Sequence, residues 1–125
     1  MTKPVPAKAS ATNSSAPYCP DSFDIIWLNF DPQAGREQAG RRPAYVLSPN
    51  KYNKLSGLVL VCPITNQIKG YPFEVPLPDG LKTTGAVLSD HVKSLSWGAR
   101  DAEYICSCPE VSDDIVGMIE SLFPA

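Results

Sequence analysis

"LVLVCPIT", residues 58–65, decides the fold. Its apolar character is nearly continuous rather than alternating, which marks a strand at the centre of a sheet, covered on both faces. Turn-forming residues bound it on either side, with "LSG" before it and "NQ" after it. Neighbouring strands must therefore be sought in both directions along the chain.

Toward the N-terminus, "DIIWLNF" (24–30) has the β-branched and aromatic content of a strand, and "AYVLSP" (44–49) is a second one. Between them "DPQAGREQAGRRP" (31–43) reads as a long loop punctuated by prolines and two glycines. "NKYNKLSG" (50–57) is a polar connection with room for one helical turn.

Toward the C-terminus, "YPFEVPL" (71–77) alternates strictly, with Tyr71, Phe73, Val75 and Leu77 on one face. Its prolines donate no ladder hydrogen bond, so this strand is expected at an edge or with a bulge. "GAVLSDHV" (85–92) and "AEYICS" (102–107) bring the expected strands to six. Short strands at such regular spacing suggest a small antiparallel barrel or a strongly curved sheet. Only "PEVSDDIVGMIESLF" (109–123) has helical periodicity, with Val111, Ile115, Met118, Ile119 and Leu122 on one stripe. Ser112 is the expected N-cap and Gly117 a weak point, so this helix depends on packing against the sheet.

At 125 residues the chain makes one domain, able to bury a core without disulfides or metals. Residues 1–20, rich in Ala, Ser, Pro and Thr, are expected as a disordered tail ahead of a domain over 21–125. A net charge of −2 argues against coating a polyanion by bulk electrostatics, so any such partner must meet a local patch. No apolar run reaches membrane-spanning length, and the leader has no apolar segment of the secretory kind. With no export signal, reduced thiols in the cytoplasm are the simpler account of Cys19, Cys62, Cys106 and Cys108. The single histidine, His91, offers no metal-ligand spacing with them.

Three segments hold candidate chemistry. In "REQAGRRP" (36–43), Arg41 and Arg42 precede a proline that fixes the backbone at a strand entrance. Guanidinium groups bind phosphate oxygens bidentately, and Glu37 is placed to hold one of them in position. On charge alone a solvated basic loop is the better account, worth ~0–1 kcal/mol in surface pairing. "CPITNQIKGYP" (62–72) sets Thr65, Asn66 and Gln67 at a strand end with Lys69 following, a donor set suited to an oxyanion or a base edge. Taken alone it reads as an ordinary polar turn. In "SDHVKSLSWGAR" (89–100), Asp90 and His91 are adjacent on an expected strand, where neighbours point to opposite faces and make no ready dyad. His91 reads as structural or substrate-contacting rather than as a general base, and Trp97 as core.

In register, "DIIWLNFDPQAGREQAGRRPAYVLSP" (24–49), "YN" (52–53), "VCPITNQIKGYPFEV" (61–75) and "DHVKSLSW" (90–97) resemble the MazF/PemK family of toxin–antitoxin ribonucleases, in its MazF branch. The resemblance runs from about Phe23 to the C-terminus. It implies a small SH3-like antiparallel barrel with a C-terminal helix, assembled as a homodimer. It implies cleavage of single-stranded RNA, chiefly mRNA, at short sequences without a metal or other cofactor, leaving a 2′,3′-cyclic phosphate and a 5′-hydroxyl. It also implies a MazE-like antitoxin whose extended tail covers the RNA groove.

Carried over by motif, Arg42 is the catalytic arginine and Thr65 its partner. Glu37 is a functional loop glutamate, and Lys69, Asp90 and Lys93 line the RNA groove. Gln67 and His91 join them as RNA contacts, His91 standing where the family usually has Gln. The family's "WRAR" is here "WGAR", with Gly98 in place of an arginine, and Leu88 stands where PemK-type members carry a further arginine. A gyrase-poisoning toxin like CcdB shares the fold but not the "REQAGRRP" loop, and a catalytically silent RNA-binding relative is the other alternative.

Overall fold

The computed structural model describes residues 18–30 and 40–124. Seven strands, β1 (Asp24–Asn29), β2 (Arg41–Val46), β3 (Leu58–Thr65), β4 (Glu74–Pro76), β5 (Ala86–Leu88), β6 (Lys93–Ser96) and β7 (Glu103–Ser107), join two helices, α1 (Asn50–Ser56) and α2 (Ser112–Glu120). The sheet is antiparallel in the order β4-β5-β3-β2-β1-β7, with β6 also paired to β3. The path does not close between β4 and β7, so the barrel-like sheet is open, in the mainly-β class with a C-terminal helix.

The central strand is β3, as its apolar run requires, and it is a hub. Along one side it pairs with β2; along the other its first half pairs with β6 and its end with β5. On that second side Cys62 and Pro63 fall between the two pairings. A proline has no N–H for a ladder, so its place in a central strand coincides with a break in pairing.

Two apolar clusters flank β1–β3, which explains why these strands lack simple alternation. Ile25, Tyr45, Cys62 and Ile64 pack on one side with Val75, Val87, Val111 and Ile115. Ile26, Leu28, Ala44, Val46, Val59 and Val61 pack on the other, beneath Leu95 and Trp97. Trp97 is half-buried against this cluster, and its indole N–H donates to Asn53 O at 2.8 Å. Burying both faces of three strands supplies most of this small domain's hydrophobic stabilisation.

Several elements differ from the sequence expectation. β6 was not expected, because "KSLS" has a single apolar residue, Leu95, to signal it. The alternating run 71–77 forms a strand only over Glu74–Pro76, and it is an edge strand. The expected strand 85–92 ends at Leu88, where His91 N–H donates to Leu88 O at 3.0 Å and turns the chain. Within segment 50–57, Asn50–Ser56 is helical with Gly57 as its cap, and it is built on Asn53, whose buried amide bonds Pro20 O and Ser48 O while its oxygen accepts from the Ser48 hydroxyl.

Ser112 is not an N-cap. A 3-10 turn over Pro109–Val111 leads directly into α2, Ser112 is its first residue, and no side chain caps the N-terminus. Of the expected stripe, Val111 and Ile115 are buried and Ile119 half-buried, while Met118 and Leu122 face outward.

Tyr18, Cys19 and Pro20 precede the expected start of the domain at 21, yet they are packed. Tyr18 donates its hydroxyl to the fully buried Asp24, and Asn50 and Asn53 amides bond the carbonyls of Cys19 and Pro20. Ser107 donates to the other Asp24 oxygen at 2.8 Å, tying this segment to β7.

Candidate active site

Neighbouring strands bring Arg42 and Thr65 together. Arg42 stands at the start of β2, opposite Leu28 in β1, and Thr65 ends β3. Both line a cavity of about 290 Å³, with Asn66 and Gln67 completing its rim. Arg41 also lines this cavity but is occupied, its Nη2 donating to Asp101 O at 2.8 Å and to Glu103 Oε1 at 3.1 Å. The expected pair of residues therefore shares one cleft. Glu37 lies outside the described residues.

Thr65 is held tightly. It is 7% exposed, and its Oγ1 accepts the Gln67 N–H at 3.0 Å, closing a turn that aims the polar run 65–67. Beside it is Gly85, at φ +124°, where a Cβ would lie 2.4 Å from the Thr65 carbonyl oxygen. Only glycine permits that approach. Thr84 adds a hydroxyl bond to Asn66 Oδ1 at 3.0 Å.

A second cleft, of about 570 Å³, opens on the other side of Thr65 and Gln67. Lys69, Tyr71, Glu74 and His91 line it. The Lys69–Tyr71 loop wraps round the Glu74 carboxylate, which accepts N–H bonds from Lys69 (3.1 and 3.2 Å), Gly70 (3.0 Å) and Tyr71 (3.2 Å). These charge-assisted bonds fix the loop and occupy a negative charge that would otherwise face an anionic ligand.

Asp90 stands behind this cleft. Its Oδ2 accepts the Tyr71 hydroxyl at 2.7 Å, and that bond raises the phenol's pKa, keeping it a donor. Its Oδ1 is buried with no hydrogen-bond partner, and His91 Nε2 lies 3.8 Å from it. The sequence argument that these neighbours point apart assumed a strand; the turn after Leu88 sets them side by side instead. Lys93 opens β6 opposite Val61 and lines neither cleft.

Sequence reasoning missed Glu74, Tyr71 and Gly85. Tyr71 was placed on a strand face with Phe73 and Val75, whereas the strand begins only at Glu74. The available signal was the turn itself: a Lys-Gly pair leaves N–H groups that need an acceptor close by.

Two of the four thiols are poorly suited to act as nucleophiles. Burial pushes the Cys62 thiol up to about 12 and, with Glu110 nearby, the Cys108 thiol up to about 11, so both stay protonated. What remains is a fixed cation and a hydroxyl around a space suited to a phosphate, adjoining a larger cleft with amide, imidazole and aromatic groups.

Residues 21–121 match the family model of the PemK-like, MazF-like toxin of type II toxin–antitoxin systems. The chain is 55% identical over 85 residues to the endoribonuclease toxin MazF of Escherichia coli strain K12, covering 68% of this chain and 76% of that one. It superposes on the crystal structure of MazF from Deinococcus radiodurans with a TM-score of 0.82 at 51% identity, covering 85% of this chain and 97% of that one. MazE–MazF from the same bacterium matches with a TM-score of 0.75 at 46% identity, covering 85% and 96%. The match takes in the sheet, both clefts and the last helix, and on it the chain belongs to the PemK-like, MazF-like toxin family of type II toxin–antitoxin systems.

Proposed function

We propose that this chain is a toxin endoribonuclease that cuts single-stranded RNA, chiefly mRNA, at short sequences and without a metal. The observation that carries the reading is the common cleft of Arg42 and Thr65, set by adjacent β2 and β3. The identity to the E. coli endoribonuclease MazF supports it.

In the reaction a ribose 2′-oxygen attacks the adjacent phosphorus. The new P–O bond forms as the bond to the 5′-oxygen breaks, leaving a 2′,3′-cyclic phosphate and a 5′-hydroxyl. Negative charge builds on the phosphorane oxygens, and the Arg42 guanidinium and Thr65 hydroxyl stabilise that state more than the ground state. The guanidinium brings the positive charge that a divalent cation supplies in other nucleases. A guanidinium is a poor proton acceptor, so the 2′-hydroxyl proton passes to a base outside this pair. The departing 5′-oxygen takes up a proton, from the guanidinium or from water, to become the 5′-hydroxyl. Gln67, Lys69 and His91 then contact RNA in the larger cleft, Asp90 acts from behind it, and Lys93 and Glu37 are further RNA-binding residues by their motifs.

The likeness to MazE–MazF supports a MazE-like antitoxin as partner. Exposed apolar side chains on α1 and at the start of β3, Tyr52, Leu55, Leu58 and Leu60, support a homodimer. Such a toxin works in the cytoplasm, where its substrate is.

The test is to incubate purified protein with single-stranded RNA in EDTA. Discrete cuts ending in a cyclic phosphate are expected. Binding without cutting would favour a silent relative, and intact RNA with blocked gyrase a CcdB-like toxin.

A further inference from the structure

Arg42 is only the second residue of β2, and strand ends are where a sheet frays. A reacting group must be held more closely than fraying allows. The contacts around its neighbour, Arg41, meet that need. Arg41 is registered against Asn29 in the β1–β2 ladder, and Phe30 N–H donates to Gly40 O at 2.9 Å just beyond it. Asn29 is gripped in turn by the reversal between β6 and β7. Its N–H donates to Arg100 O at 3.0 Å, and its carbonyl accepts from Arg100 Nη1 at 3.2 Å.

The Arg41 guanidinium ties this reversal back to β2. Its Nη2 reaches Asp101 O at 2.8 Å and Glu103 Oε1 at 3.1 Å. Because β1 lies between β2 and β7, one side chain spans a whole strand. Asp101 stands at φ +54°, a left-handed conformation that few side chains adopt, so the carbonyl it presents belongs to a specific turn. An ion pair with side chains 36% and 69% exposed adds little to global stability. Its effect is local, on the first residue of β2.

Resting on the endoribonuclease reading above, we infer that Arg41 is a positioning residue for the reaction: anchored by Glu103 and the Asp101 carbonyl, it clamps the entrance of β2 and so sets the Arg42 guanidinium against the phosphate. Both arginines line the smaller cavity, but the charge of Arg41 is committed to Glu103. One guanidinium holds the strand end and the next one meets RNA.

The experiment compares wild type, Arg41→Gln, Arg41→Lys, Glu103→Gln and the double variant Arg41→Gln/Glu103→Gln. Cleavage kinetics are measured on a single-stranded RNA that wild type cuts, alongside thermal melts and hydrogen exchange at the Asn29 and Phe30 amides. Arg41→Gln is expected to lower kcat about 10-fold, the order of loss that a slightly misplaced group causes, with KM nearly unchanged. Arg41→Lys keeps the charge and recovers part of the rate. Glu103→Gln lowers kcat several-fold although it removes no cation. The double variant is no slower than Arg41→Gln, since both changes cut one contact. The Phe30 amide exchanges roughly 10-fold faster in Arg41→Gln, while amides of β3 keep their protection.

A direct RNA contact by Arg41 gives a different pattern: Arg41→Gln raises KM at constant kcat, and Glu103→Gln lowers KM by releasing the guanidinium. That pattern overturns the proposal, as does a wild-type kcat in Arg41→Gln. So does a lowered melting temperature with faster exchange throughout the sheet, which would make the pair a general stabiliser. If wild type leaves RNA intact, the endoribonuclease reading falls and exchange still decides the clamp. Faster exchange confined to Asn29 and Phe30 in Arg41→Gln and Glu103→Gln supports it, and unchanged protection overturns it.

Discussion

The two clefts share Thr65 and Gln67 but are held by different forces. The smaller is fixed by the ladder: Arg42 is registered against Leu28, and Thr65 against Ala86. Moving either means breaking backbone pairing in the ladder of β1, β2, β3 and β5. The larger is fixed by side chains reaching backbone, chiefly Glu74 to the 69–71 loop and Asp90 to Tyr71. Such contacts can be exchanged without unfolding the sheet. On the proposed function, reaction chemistry falls to the rigid part, and recognition to a part that substitution can retune.

Arg42→Ala breaks the comparison on its rigid side and has the largest expected effect. Cleavage falls by roughly 10²–10³ or more, the usual result of deleting one transition-state donor. Arg42 is half-buried at a strand entrance, outside both apolar clusters, so the melting temperature stays near wild type. Measured single-turnover rates alongside a thermal melt decide the matter, and a variant cutting at the wild-type rate removes Arg42 from the mechanism.

Gly85→Ala tests the same side by geometry rather than charge. The added methyl meets the Thr65 carbonyl at 2.4 Å, and the backbone is at φ +124°, so the end of β3 must shift. A displacement of that order at a catalytic hydroxyl lowers kcat by as much as ~100-fold. KM changes little, because the Glu74-centred loop does not depend on Gly85. Equal losses in kcat and KM would mean that the two clefts are not separately held.

How much of this was legible in the sequence follows the same division. The apolar run 58–65 marks the central strand. Arg42 and Thr65 are instead named by the family resemblance of their motifs, since charge alone favours a solvated loop and an ordinary polar turn; both are found in one cleft. The 3-10 lead into α2 and the turn at 89–92 were not legible. A capping serine and an alternating run are local signals, and tertiary packing overrode both. Glu74 was hidden for another reason. Its alternation with Phe73 and Val75 predicts a solvent-facing carboxylate, and nothing in one dimension shows three N–H groups converging on it.

Glu74→Gln sharpens the recognition side and carries the smallest expected effect. The amide keeps one oxygen for the loop N–H groups, but it loses the charge that strengthens these bonds and turns an NH₂ toward the donors. The 69–71 loop loosens, at a cost of about 1 kcal/mol in stability for contacts this accessible to water. Lys69 and Tyr71 then meet RNA less well oriented, so KM rises several-fold while kcat holds, since Thr65 and Arg42 are anchored elsewhere. Removing a negative charge from the cleft works the other way, by relieving repulsion of phosphate, and salt separates the two contributions. Surface repulsion is screened as salt rises, whereas loop disorder is not. A KM defect that persists at high salt therefore identifies Glu74 as an organiser of the loop, and a KM that falls below wild type at low salt would identify it as a simple electrostatic gate.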